Sequence, residues 1–385
     1  MTKKRQILVD IEPSVLKWLI ESSGWTKEEI AKRLKTSTQT IEKFLNKKKN
    51  PTYRQLEELS KIFKRPVASF LLSKPIPEKP KPKDYRMLPD KTDVFDKKTI
   101  LVMRKARKLQ ELSRELSKNI AYETGLKIKR TKITENPEAV AGHFREIFSL
   151  TEEKQKKFKT PYELFNYLRD ILEEHNIFLF QFSMPVDDAR GFVFVDEKPN
   201  VIVVNTKDTI EARIFSMMHE FGHILLGESV IDLPDASSLY KDNVERWCNE
   251  FASAFLLPKQ TAKEEFNQNR MKLTQRRTLK TLSNRYKVSK AMLLLNMLKL
   301  RYITKTDYDR KMNQYEEATD QKKEDKKKSS GGPASEIQCL SKVGNKFVSL
   351  VANNYDKNYI TYTDALSYLS IKSKSFDKVL SKAKK

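Results

Sequence analysis

Apolar residues recur along most of this chain at three-and-four spacing, the signature of amphipathic helices, with one interruption. Short helices fill residues 1–74, where Ile30, Ala31 and Leu34 line one buried face and Ile41, Phe44 and Leu45 another. Over 96–121 the pattern is Ile100, Met103, Leu109, Leu112, Leu116 and Ile120, and 137–148 and 161–174 repeat it, each with a proline near the helix start. The period then changes. Residues 177–182 form a short apolar run, and 191–195 and 201–204 flank a polar turn containing Pro199. β-Branched and aromatic runs joined this way predict a small antiparallel sheet. Helical spacing resumes over 209–226, 242–257 and 278–300, and again after 334. The fold class is α+β, mostly helical, with no internal repeat.

Two stretches break the pattern. Residues 75–89 contain five prolines, which cannot be helix interior and predict an extended linker. Residues 322–334 (KKEDKKKSSGGPA) predict a mobile basic loop. The expected domains are therefore 1–74, a helix-turn-helix; 75–89, a linker; 90–305, a second domain holding the sheet; and 306–385, a helical extension.

In the front domain Thr26 and Glu29 fit a capping box, and Ser37 caps the next helix. Small Ala31 permits close crossing, with Ile41 and Phe44 packed beneath, as in a helix-turn-helix. Lys35 occupies the turn position where glycine is usual, so a left-handed backbone is expected there. Thr38, Gln39, Glu42 and Lys43 would then face outward: glutamine pairs with adenine, threonine meets a thymine methyl, and lysine reaches guanine or phosphate. Lys47, Lys48 and Lys49 suit phosphates. A small helical domain with a solvated basic face is the plainer alternative. The 278–300 stretch, turning at Val288 and Ser289, reads as packing, although its two helices would also fit a second helix-turn-helix.

Charge strengthens the nucleic-acid reading. The chain has 385 residues, 75 Lys and Arg against 51 Asp and Glu, and a net charge of +24; residues 1–80 alone carry +9. A polyanion is the first partner to consider, although such a charge also serves solubility and non-specific attraction, and together with the helix-turn-helix it points to double-stranded DNA. No run approaches the ~20 apolar residues of a membrane span, so no membrane partner is expected. The N-terminal sequence lacks a signal-peptide core. Two cysteines, Cys248 and Cys339, cannot build a disulfide framework and fit a reducing cytoplasm.

Half of the four histidines fall in one pentapeptide, His219-Glu220-Phe221-Gly222-His223. On a helix, residues four apart share a face, so His219 and His223 can bind one Zn2+ while Glu220 serves as general base. By chance the pattern would arise in roughly a few chains per thousand. Asp208 with Glu211 is expected to cap this helix. Downstream candidates for a third ligand are Glu228, Asp232, Asp235, Glu245 and Glu250. Glu245 is favoured because it opens a helix packed by Trp247, Phe251 and Phe255, and a rigid element positions a ligand better than a loop. Cys248 is a further possible ligand, though a small buried cysteine is commoner. Two helix-face histidines binding nothing, or a purely structural zinc, remain the alternatives. His143 and His175 are expected at a helix surface or end, and Arg190 and Tyr240 are weak candidates for stabilising an oxyanion.

The segment PTYRQLEELSKIFKRPVASFLL (51–72) resembles the phage-repressor-like XRE helix-turn-helix family, in the variety fused to a metallopeptidase. IEARIFSMMHEFGHILLG (210–227), followed by VERWCNEFASAFLLP (244–258), resembles the ImmA/IrrE family of metallopeptidases, and 191–208 is similar to that family's sheet. The resemblance implies a zincin-like domain with His219, His223 and Glu245 as zinc ligands and Glu220 catalytic. Cys248 stands where that family usually has alanine. The likeness covers most of 10–305, with a weaker echo over 343–380. A strand such as 191–195 could then bind substrate backbone by strand addition.

Three functions are compatible with these features: a DNA-binding peptidase that cleaves a regulatory protein such as a repressor; a zinc-dependent transcription regulator without proteolysis; and a regulator in a toxin-antitoxin or mobile-element locus. A homodimer is possible in each case.

Overall fold

The computed structural model describes residues 7–76, 95–120, 128–227, 231–232, 243–326 and 334–383, with backbone alone for 231–232 and 316–326. Residues 77–89 of the expected linker and 327–333 of the expected mobile loop lie outside the described residues, while 322–326 continue a helix. By packing, the described chain forms two units, 7–76 with 95–105, and 106–383.

The front unit contains α1 (Pro13–Glu21), α2 (Lys27–Arg33), α3 (Thr38–Leu45), α4 (Tyr53–Phe63), a 3-10 turn (Val67–Leu71) and the first turns of α5 (Lys97–Asn119). Its helix starts are chemically specified. Thr26 and Glu29 form the reciprocal capping box, Ser37 accepts from the Thr40 amide, and Thr52 with Gln55 makes a second box. Val15, Leu16, Leu19, Ile30, Ile41, Phe44, Leu56 and Phe63 close the core. From α5, Lys97 lies over the Trp25 ring and pairs with Glu29, and Arg104 donates to the Phe63 carbonyl at 3.1 Å.

The second unit continues with α6 (Pro137–Ile147), α7 (Glu152–Lys157), α8 (Pro161–Glu174), β1 (Ile177–Phe182), β2 (Gly191–Phe194), β3 (Asn200–Asn205) and α9 (Ile210–Leu226). It goes on through β4 (Ile231–Asp232), α10 (Asn243–Leu256), α11 (Lys259–Gln268), α12 (Arg276–Tyr286), α13 (Lys290–Lys299) and α14 (Lys305–Lys326). The last three helices are α15 (Ser335–Asp356), α16 (Tyr362–Leu369) and α17 (Phe376–Ala383).

The sheet order is β1-β3-β2-β4. β2 and β3 pair antiparallel as expected, but β1 pairs parallel with β3, so the sheet is mixed rather than antiparallel. The reason lies in the connections. The short 196–200 turn returns β3 antiparallel to β2, and β3 then separates β2 from β1, whose direction it shares. Nor is β2 a free edge along its length, because Gly191 and Phe192 pair with Asp232 and Ile231 of β4. Strand addition at those two residues is therefore already made within the chain.

Every residue of β1, β2 and β3 is buried, so the sheet is covered on both faces. Ile177, Leu179, Val193, Ile202 and Val204 share a core with α8, α9 and α10. On the other face Phe180 packs edge-on against Phe347 of α15, and the Arg107 guanidinium of α5 sits 3.5 Å over the Phe194 ring. α15 is pinned by a buried ion pair. Arg169 and Glu173 bond at 2.9 Å, Arg169 also donates to the Ser341 carbonyl at 2.9 Å, and the Lys346 amide donates to Glu173 at 3.2 Å. A kink at Gly344 (φ +84°) makes room for them: a Cβ there would lie 2.7 Å from the Arg169 guanidinium. Burial pushes the Glu173 carboxyl up, opposed by Arg169.

Candidate metal centre

α9 positions the central motif. Its N-cap is Thr209, which accepts from the Ala212 amide at 3.3 Å, rather than Asp208. The Asp208 carboxylate instead lies 3.5 Å from Arg190, which removes the expected Asp208–Glu211 box and engages Arg190 structurally. The helix ends at Gly227, whose left-handed backbone (φ +82°) returns its amide to the His223 carbonyl at 2.8 Å. Between these ends α9 is buried almost all round, with Phe221 meeting Phe144 and Phe251.

His219 and His223 present their Nε2 atoms to one another at 3.1 Å. Glu245, in the first turn of α10, reaches both: Oε2 is 3.2 Å from His219 Nε2, and Oε1 is 3.3 Å from His223 Nε2. These three form a group that could hold a metal ion, and the donor set fits zinc. Four ligands at about 2.0–2.1 Å in a tetrahedron stand about 3.3 Å apart, which matches the separations here. All three residues are buried, with exposures of 0–1%. Burial alone would push the Glu245 carboxyl up, but the two imidazoles reverse this and hold it well below its usual range.

Glu220 follows the first histidine and is fully buried. It lies beside Gly191, the first residue of β2: a Cβ at 191 would come 3.0 Å from Glu220 Oε1 and 2.9 Å from the Val203 carbonyl. Gly191 thus leaves the space this carboxylate occupies, a contact sequence reasoning missed; a glycine opening an otherwise bulky strand was the available signal. Gly222 is similar. A Cβ there would meet Cys248 Sγ at 3.1 Å, so the small side chain of Cys248 belongs to the close crossing of α9 and α10. Cys248 and Glu250 are not in the metal-binding group. Glu228, Asp235 and Tyr240 lie outside the described residues, as does the side chain of Asp232. His143 is exposed on α6, and His175 caps α8 over Phe148.

In the front unit Gln39, Glu42, Lys43, Lys47, Lys48 and Lys49 are exposed and Thr38 is half-buried. Lys35 has the expected left-handed backbone (φ +52°). Two of the polar residues are engaged within the unit. Lys27 lies 3.6 Å from Glu42, and Lys47 donates to Glu12 at 3.2 Å, which raises the lysine's pKa. α13, by contrast, buries Met292, Leu293, Leu294, Asn296 and Met297. It has no polar face with which to read bases, and its helices serve packing.

Comparison with known proteins agrees with this layout. Residues 16–70 match the family described as helix-turn-helix, and residues 172–297 match the IrrE N-terminal-like domain family of peptidases. The chain is thus similar to the fusion implied by its sequence: an XRE-type helix-turn-helix ahead of an ImmA/IrrE-like metallopeptidase segment. The first similarity suggests DNA binding and the second an IrrE/ImmA-type metallopeptidase. No curated protein matches the chain. No described helix is long and apolar enough to cross a membrane.

Proposed function

We propose that this protein is a DNA-binding, zinc-dependent metalloendopeptidase of the cytoplasm that cleaves a regulatory protein such as a repressor. The observation that carries the reading is the convergence of His219, His223 and Glu245 on one buried point, with Glu220 beside it on the same helix. His219 and His223 would hold zinc through Nε2, and Glu245 through its carboxylate. Zinc, when bound, supplies Lewis-acid chemistry that polarises a scissile carbonyl and acidifies water. Glu220 takes no ligand position and is the general base: its carboxylate accepts the proton of the attacking water and returns it to the leaving amine. Gly191 keeps Glu220 in place by presenting no side chain to it. The exposed Gln39 and Lys43, with Lys48 and Lys49, support a role for α3 and its following turn in carrying this activity to DNA.

The test is Glu220→Gln, which keeps the shape of the side chain and all three ligands but removes the base. Repressor-like or toxin-like proteins encoded nearby are coexpressed with each form, and their intact masses are measured alongside bound zinc. Cleavage by wild type alone, with zinc equal in both, is expected. The same cleavage pattern from both forms removes Glu220 as base. No cleavage by either, with equal repression of a reporter, would identify a regulator that does not cut.

A further inference from the structure

Between Glu265 and Asp307 the chain carries 11 Lys and Arg residues and no Asp or Glu, where about five acids would fall at the chain's average frequency. Folding engages some of these cations and leaves others in solvent. Lys287 is buried and donates to the Arg285 carbonyl, and Arg285 is bound by Glu265 at 2.7 Å. Arg270 and Lys272, in the 3-10 turn ahead of α12, and Arg276, Arg277 and Lys280, on α12 itself, are exposed. Among the described residues none of these five has an ion pair.

Their placement concentrates the charge. Leu279, Leu282, Ser283 and Tyr286 form the buried side of α12. Arg277 and Lys280, three residues apart, fall on the solvent side with exposed Thr281 and Asn284, and Arg276, exposed in the first turn, borders it. Gln275 makes no side-chain cap, and the first turn of α12 has no acid. The positive end of the helix dipole and the exposed Arg276 and Arg277 thus share one turn, an arrangement that a bound anion would stabilise.

We propose that this face, Arg270 to Lys280 with the start of α12, is a second DNA-contacting surface that grips the phosphate backbone of duplex DNA without reading sequence. Arginine forks match phosphate oxygens, and helix amides add donors. Duplex DNA is the occupant of choice because it is the ligand already suggested for this chain by its helix-turn-helix similarity. The lack of a polar face on α13 limits the role to backbone contact. The surface shares no residue with the metal-binding group and does not depend on peptidase activity.

The test uses the full-length protein and a labelled random-sequence duplex, titrated by fluorescence anisotropy over a range of salt concentrations. Replacing Arg276, Arg277 and Lys280 together by Gln should lower the slope of log affinity against log salt by about 2–3, since each phosphate contact contributes about 0.9. The charge-preserving set Arg276→Lys, Arg277→Lys and Lys280→Arg should restore it. All three positions are exposed, so circular dichroism and zinc content should match wild type, and a folding failure would show there. A slope unchanged in the Gln variant overturns the proposal. So does loss of binding to anionic vesicles or to an acidic protein with the DNA slope intact, which would assign the patch to another polyanion. The front unit is tested separately by Lys48→Gln with Lys49→Gln. If that pair changes nothing while the α12 variant weakens binding, the front-unit reading fails and this one stands.

Discussion

In the front unit the residues with binding chemistry, Gln39, Lys43, Lys48 and Lys49, stand in solvent on elements whose other faces supply the core. In the second unit His219, Glu220, His223 and Glu245 are themselves interior residues, with exposures of 0–1%. An exposed cation keeps its hydration, so the front unit can change its binding residues with little effect on stability. A buried carboxylate keeps its charge only where partners offset lost hydration, so the second site depends on what surrounds it. The contrast predicts where substitutions unfold the chain and where they only weaken a contact.

The largest effect belongs to the pair that holds α15 on the second unit. Arg169→Met alone leaves the buried Glu173 carboxylate without its cation, although the Ser341 carbonyl keeps Gln181 as a donor at 2.8 Å, and should destabilise by about 3–5 kcal/mol. Adding Glu173→Leu should recover much of that loss. Urea unfolding followed by circular dichroism measures both, and equal losses in the single and double variants would mean that packing, not charge, holds α15.

Next comes the metal group. Glu245→Ala leaves two imidazoles without the carboxylate that faces them, and zinc affinity should fall by roughly 100-fold or more. Competition with a chelator reads this directly. DNA affinity of the same protein should stay within about twofold if the two regions are as separable as their burial suggests.

Gly191→Ala is subtler. Its Cβ would press on the Val203 carbonyl and on Glu220, which should cost about 1–3 kcal/mol and, by displacing the base, lower turnover about 100-fold with zinc retained. Equal loss of zinc and turnover would instead indicate general collapse of the site.

The smallest effects lie in the front unit. Lys35→Gly should stabilise it by about 1 kcal/mol, since glycine adopts φ +52° without strain. Lys48→Gln should reduce the salt slope of DNA binding by about 0.9, and Lys47→Gln by less, because Glu12 already shares the Lys47 charge.

Much of this was legible in the residues alone where the determinant is local. Thr26 with Glu29 and Ser37 specify helix starts through atoms three residues away, and His219 and His223 share a face by helix geometry alone. Cap choice between neighbours was less secure, and Thr209 displaced Asp208 because Arg190 engages the aspartate from outside the helix.

What only the tertiary structure decided rests on contacts between distant residues. Twenty-two positions separate His223 from Glu245, and no local pattern measures the 3.3 Å between their side chains. The parallel pairing of β1 followed from where the chain returned, not from burial, which is complete in all three full strands. The outer face of the sheet gave its sign in the sequence, since β1 has Phe178, Phe180 and Phe182 at every second position and Ile177 and Leu179 on the alternate ones. Periodicity can say that such a strand is buried on both sides, but not by what. That α5 and α15 do the covering, about 80 residues before and 170 after the strand, is set by the long-range packing of Phe347 on Phe180 and the Arg169–Glu173 pair at the Gly344 kink.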